Sequence, residues 1–311
     1  MLGSPNHSFV KFVPGVYLVY LSVPKVASSS ISHALLSACP TAPDGVSEHS
    51  PIGKALTHWR PVYAPRPDLP VFTYVRNPID KFLSYYRDKF LGAREQGFEL
   101  PHLGQLGFSP SMDIEDVVEH MLQIPVEKME HHAQPQHRIV APQGSYVAEF
   151  TGQVEGMDES WAYIQALSLC DFVVARTRNT TDRNSSPIEL REQTMSKLVA
   201  YYDADFDVFE YARPVPADKD TLERLRGKAQ PDRRTTAGMR DKRLRANEAF
   251  ITEAESLEDQ GYRSRRLIEA QEKFNDFLLF CNYRTSRPSR RAMLSMLRHP
   301  SSRATAAKKW R

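Results

Sequence analysis

At 311 residues and 41% apolar side chains, the chain can fill a sizeable core as one large domain or two ordinary ones, and it falls among soluble globular proteins. Its net charge of +3 is unevenly spread, because residues 282–311 hold nine Lys or Arg and no Asp or Glu, leaving the rest acidic by about six charges. Three dispersed cysteines (Cys39, Cys170, Cys281) without CxxC spacing argue against a disulfide framework or zinc knuckle, and the short apolar run in "MLGSPNHSFVKFVPGVYLVYLSV" against a signal peptide or membrane helix.

A reducing, cytoplasmic setting is therefore expected, in which the sequons at Asn6, Asn179 and Asn184 stay unmodified. Along the chain, "VYLVYLSV" at 16–23 is charge-free and β-branched, as for a strand buried on both faces of a parallel sheet. A helix follows in "SSSISHALLSAC", with Ile31, Ala34, Leu35 and Ala38 on one face. After a proline-rich loop over 40–70 the unit repeats: strand "LPVFTYV" at 69–75, then a helix opening at Pro78 that turns Ile79, Phe82, Leu83 and Tyr86 inward. "DIEDVVEHMLQ" at 113–123 predicts a helix with an acidic first turn. Beyond it, strands in "SYVAEF" and "DFVVAR" alternate with helices in "DESWAYIQALSL" and "PIELREQTMSKLVAYY", the order of an α/β fold. Residues 218–272 are highly charged with sparse apolar positions and predict exposed helices, and from Arg284 the composition is that of a disordered basic tail. These shifts divide the chain at 1–213, 214–283 and 284–311.

The first turn, "PKVASSS" from Pro24 to Ser30, joins a buried strand to a helix, so it presents backbone N–H groups at the positive end of the helix dipole. Lys25 adds a full charge and Ser28, Ser29 and Ser30 add hydroxyl donors, although the serines could equally be plain helix caps. The glycines of a Walker A loop are missing. In the second unit, Arg76 ends a buried strand and Ser84 lies two turns into the next helix, a pair suited to another phosphate; a surface ion pair from Arg76 to Asp80 or Asp88 is the competing reading. Two such turns in one domain imply a ligand with two separated phosphates.

"PKVASSS" resembles the 5′-phosphosulfate loop of the sulfotransferases, and "VFTYVRNPIDKFLSYYRDKF" resembles their 3′-phosphate motif, R-x-P-x-x-R/K-x-x-S-x-Y. The order and spacing of the two are similar to those of the carbohydrate sulfotransferases, as are "HHAQPQ", "TGQVEGMDESW" and "YYDADFDVFEY"; the resemblance covers roughly residues 15–212. It implies a P-loop-like three-layer α/β sandwich with a central, mostly parallel sheet, followed here by a helical C-terminal extension. It also implies 3′-phosphoadenosine 5′-phosphosulfate (PAPS) as donor, 3′-phosphoadenosine 5′-phosphate (PAP) as product, and no metal. Carried onto this sequence, Pro24, Lys25, Val26, Ala27, Ser28, Ser29 and Ser30 would cradle the 5′-phosphosulfate, with Lys25 on the bridging oxygen, and Arg76 and Ser84 would hold the 3′-phosphate. Two departures stand out: Ser29 where many members have threonine, and Lys81 where arginine is frequent, the latter read as a solvated lysine.

Moving a sulfuryl group to a hydroxyl calls for a general base. His58, just before the Arg76 strand, resembles in position the base histidine of uronyl 2-O-sulfotransferases, an ordinary loop histidine being the other reading; His132 in "HHAQPQ" is the alternative base. The trio His131, His132 and His137 has no cysteine or carboxylate spacing that predicts a metal, and Glu155 reads as a solvent-facing carboxylate, with orienting a loop or touching the acceptor as the alternatives. The expected acceptor is a carbohydrate or glycolipid, and the basic tail, with the amphipathic "RRAMLSMLRH", is a candidate contact for an anionic surface. The rival readings are a phosphotransferase using the same turn and a nucleotide- or polyanion-binding protein working through the tail.

Overall fold

The computed structural model describes residues 9–13, 15–39, 46, 50, 69–97, 101–169, 187–226, 230–257, 259 and 261–272. His58, the strand expected at 171–176, the three sequons and the basic tail lie outside the described residues. Four strands form one sheet in the order β1 (Val10–Phe12), β2 (Val19–Leu21), β3 (Val71–Val75) and β4 (Phe150–Gln153). β1 runs antiparallel to β2, with Lys11 opposite Tyr20, whereas β2, β3 and β4 are parallel, with Val19 opposite Val71 and Phe72 opposite Phe150. All five residues of β3 are buried, which is why a charge-free "VFTYV" belongs at the centre of a covered parallel sheet.

Two strand expectations are corrected. β1 is an additional edge strand, in a segment for which the sequence predicts no element. β4 begins only at Phe150, the last residue of "SYVAEF"; the preceding Glu149 meets Val71 at the entry of β3, donating its N–H to the Val71 carbonyl at 2.7 Å and accepting the Val71 N–H on its carboxylate at 2.5 Å. Gly152 is required next to Tyr74, since a Cβ there would lie 2.4 Å from that ring.

Each parallel strand runs into a helix: β2 into α1 (Ser28–Ser37), β3 into α2 (Pro78–Tyr86) and β4, through one 3-10 turn, towards the helix that starts at Met157. In α1 the predicted Ile31, Ala34 and Leu35 are indeed buried. α2 has Pro78 at its first position, and the Asn77 side chain caps it by accepting the Ile79 N–H at 3.0 Å. It continues as a π-helical turn over Arg87–Leu91. α3 (Ile114–Met121) is capped by Asp113, which accepts the Asp116 N–H at 2.9 Å. Then come α4 (Met157–Ser168), α5 (Glu192–Tyr201), α6 (Asp203–Phe209) and the 24-residue α7 (Arg233–Ser256).

The core has two parts. One surrounds the sheet with α1, α4 and α7; the other joins α2, α3, α5 and α6. The exposed helices expected over 218–272 are corrected at α7. Phe250 stacks on Phe150 with ring centroids 4.9 Å apart, and Asn247 pairs with Thr151 as a strand would, accepting its N–H at 2.7 Å and donating to its carbonyl at 2.9 Å. Arg243 is buried, donating to the Val208 carbonyl at 2.9 Å and pairing with Glu210. No helix among the described residues is long and apolar enough to cross a membrane.

Candidate active site

Parallel strands end at the same edge of a sheet, so the turns leaving β2, β3 and β4 open side by side. The first holds Pro24, Lys25, Val26 and Ala27. Pro24 and Val26 are buried and anchor it, while Lys25 (φ 65°) and Ala27 (φ 57°) adopt the left-handed conformation, which for non-glycine residues costs about 1–3 kcal/mol each. The turn leads directly into α1, and the Lys25 ammonium pairs with Asp88 in the turn that follows α2. The helix is capped by Ala27 with no side-chain cap, and its first internal bond is Ile31 N–H to Ala27 O at 3.0 Å. Ser28, Ser29 and Ser30 are therefore not caps but the first three helical residues, whose N–H groups precede that bond. Ser28 and Ser29 reach the surface and Ser30 is buried.

The second turn is set by a buried polar frame. Gln136 accepts the Arg76 N–H at 2.9 Å and donates to the Arg76 carbonyl at 2.7 Å. Fully buried Asp205, in α6, accepts the N–H groups of Gln136 (2.7 Å) and His137 (2.9 Å) and bonds His137 Nδ1 at 2.7 Å. The Tyr202 hydroxyl donates to the Ala133 carbonyl at 2.7 Å. Glu155, for which a solvent-facing carboxylate is the first expectation and the orienting of a loop the alternative, accepts the Asn77 N–H at 2.9 Å and the Tyr211 hydroxyl at 2.8 Å, closing the third turn onto the second. Arg76 itself is half-buried at the sheet edge with Ser84 half-buried in α2, and Asp88 pairs with Lys25 and Lys89 rather than with Arg76.

Lys81 is also corrected. It is fully buried and donates to the carbonyls of His132 (2.7 Å) and Gln134 (2.9 Å), with its ammonium 5.9 Å from the Tyr202 ring centre. Burial pushes its pKa down to about 8 against the pull of Asp205 and Glu130. The tether fixes the backbone of the segment that carries the acid–base candidates. There Glu130 takes both imidazoles: His132 Nδ1 in a short bond and His131 Nδ1 at 3.2 Å, and it accepts the His132 N–H at 3.0 Å. Burial, aided by the neighbouring imidazole and by Lys89 and Lys81, pushes His131 down to about 4. Burial lowers His132 too, together with Lys25 and Lys89 and opposed by Glu130, so its ring is neutral at pH 7 with Nδ1–H on the carboxylate and a lone pair on Nε2.

Of the predicted histidine trio, the structure keeps His131 and His132 together and places His137 apart on Asp205. The ligand atoms of Glu130, His131 and His132 lie within 4.8 Å of one another, a spacing that fits a metal ion. The surrounding Lys25, Lys81 and Lys89 favour an anion there instead. Sequence reasoning assigned no role to Glu130, Lys89, Gln136 or Asp205, and offered Asp88 only as an ion-pair partner for Arg76. Gln136 belongs to the quoted "HHAQPQ" and Asp88 to "YYRDKF", but a residue that acts by holding a neighbour leaves no pattern of its own.

Three parallel strands thus open into two cation-bearing turns beside a carboxylate-held histidine, an arrangement whose charges suit an anionic ligand. The sequence model described as "Sulfotransferase family" matches residues 12–212, well over half the chain, and this protein belongs to that family. No curated protein and no solved structure matches the chain.

Proposed function

We propose that the protein transfers a sulfuryl group from PAPS to a hydroxyl of a carbohydrate or glycolipid acceptor. The observation that carries this reading is the pair of turns at the ends of neighbouring parallel strands, one with Lys25 at the start of α1 and the other with Arg76 at the start of α2. Membership of the sulfotransferase family supports PAPS as the donor. On this reading the sheet is the centre of a P-loop-like three-layer sandwich. The extension over 214–283 buttresses it through α7, the tail from Arg284 meets an anionic surface, and the setting is cytoplasmic.

Lys25 meets the 5′-phosphate and the oxygen that bridges it to sulfur, together with the Ser28, Ser29 and Ser30 N–H groups and the hydroxyls of Ser28 and Ser29. Arg76 and Ser84 hold the 3′-phosphate. The acceptor oxygen attacks sulfur in line as the sulfur–oxygen bond to the phosphate breaks. Charge grows on the departing phosphate, where fixed donors act in the transition state. The acceptor proton passes to His132 Nε2, whose opposite nitrogen Glu130 holds. His58 is the competing base, to be separated from His132 by mutation. Incubation of the purified protein with ³⁵S-labelled PAPS and a panel of oligosaccharide and glycolipid acceptors tests the reading: transfer to at least one is expected, and binding of ATP–Mg²⁺ in preference to PAP would point to a phosphotransferase instead.

A further inference from the structure

Asp88 lies in the π-helical turn that follows α2, and its single oxygen Oδ2 takes two ammonium groups, that of Lys25 and, at 3.1 Å, that of Lys89. π turns re-aim the side chains that follow them and are frequent at functional sites. Lys25 is 15% exposed, Lys89 31% and Asp88 47%, so the lysines are mostly withdrawn from water and the carboxylate is the one free to turn outward. Two ammonium groups repel unless an anion lies between them, and the geometry that suits one carboxylate oxygen suits an oxygen of a phosphate or sulfate. The Lys89 charge reaches His131 and His132 as well as Asp88, so it faces both the first turn and the acid–base pair.

We propose that Lys89 is a second ammonium of the donor site, and that Asp88 is a built-in counter-ion that holds Lys25 and Lys89 together until the phosphosulfate group replaces it. The identity of the donor rests on the sulfotransferase reading; the anion site rests on the geometry. A pair of lysines already gathered on one carboxylate oxygen is arranged for the incoming anion, which lowers the ordering cost of binding. Asp88 also competes with that anion, so the two residues act in opposite directions on affinity.

Calorimetric titration of the full chain with PAP and, separately, with inorganic pyrophosphate tests this in wild type, Lys89→Met and Asp88→Asn, each checked for a wild-type melting temperature. Lys89→Met should weaken PAP about tenfold and Asp88→Asn should tighten it about threefold, since one removes a charge-assisted contact and the other a competitor. Unchanged affinity in Lys89→Met, or weaker binding in Asp88→Asn, overturns the proposal while normal PAP binding leaves the sulfotransferase reading standing. If wild type binds pyrophosphate with the expected response to both substitutions but does not bind PAP, the anion site stands and the sulfotransferase reading falls.

Discussion

Gln136 grips the backbone of Arg76 from both sides, accepting its N–H at 2.9 Å and donating to its carbonyl at 2.7 Å. The buried amide thus continues the hydrogen bonding of β3 past its last residue and fixes the direction in which Arg76 leaves the sheet. Its own N–H is tied to Asp205, so the grip is anchored in α6.

Replacing Gln136 with alanine leaves two backbone groups of Arg76 without partners in a buried place. A loss of about 2 kcal/mol in urea unfolding is expected, together with weaker PAP binding as Arg76 loses its direction. Wild-type affinity in a folded Gln136→Ala protein would show that Arg76 needs no such support.

The buried Lys81 gives a stability signature in alkali. Its folded pKa, about 8, lies below that of the unfolded chain. Between pH 8 and about 10.4 the unfolded state therefore binds more protons, and the contribution of Lys81 to stability rises with pH. The stability difference between wild type and Lys81→Met should widen in favour of wild type across that window, measured by denaturant unfolding at several pH values. A constant difference would mean that the lysine titrates normally.

Much of this was readable from residue order. Two charge-free strands, the Pro78 helix start and the Lys25 and Arg76 turns follow from local pattern alone, because each depends on neighbours in the chain. Lys81 was misread because a lysine in a helix looks solvated, and only the carbonyls of His132 and Gln134, some fifty positions away, withdraw it from water. α7 was misread for a similar reason: its few apolar residues are outnumbered by charge, yet Phe250 and Asn247 meet β4 in three dimensions. Capping stayed open as a reading of the first-turn serines because the left-handed Ala27 that takes the cap position has no sequence signature.

If His132 is the base, turnover should keep its acid limb below the ordinary imidazole range, because burial and the nearby lysines hold its pKa down. Glu130 works the other way, so Glu130→Gln should shift the limb to still lower pH and slow the rate, as imidazolium loses its counter-charge. His132→Ala should lower kcat far more than donor affinity. The same loss in His58→Ala, with His132→Ala active, would move the role to His58.

Gly152 offers a check on the sheet itself. A side chain there drives into the Tyr74 ring beside it, so Gly152→Val should destabilise the protein by about 1–3 kcal/mol, read in thermal or urea unfolding. A neutral effect would mean that β4 does not pass Tyr74 so closely.

The most direct measurement of the central claim is the affinity of PAP for wild type, Lys25→Ala and Arg76→Ala, by titration calorimetry on proteins with matched melting temperatures. Binding in wild type, with a loss of at least about tenfold in each variant, is the expected result for two charge-assisted phosphate contacts in one site. Undiminished binding in either variant, or none in wild type, would contradict a bisphosphate donor held between the two turns.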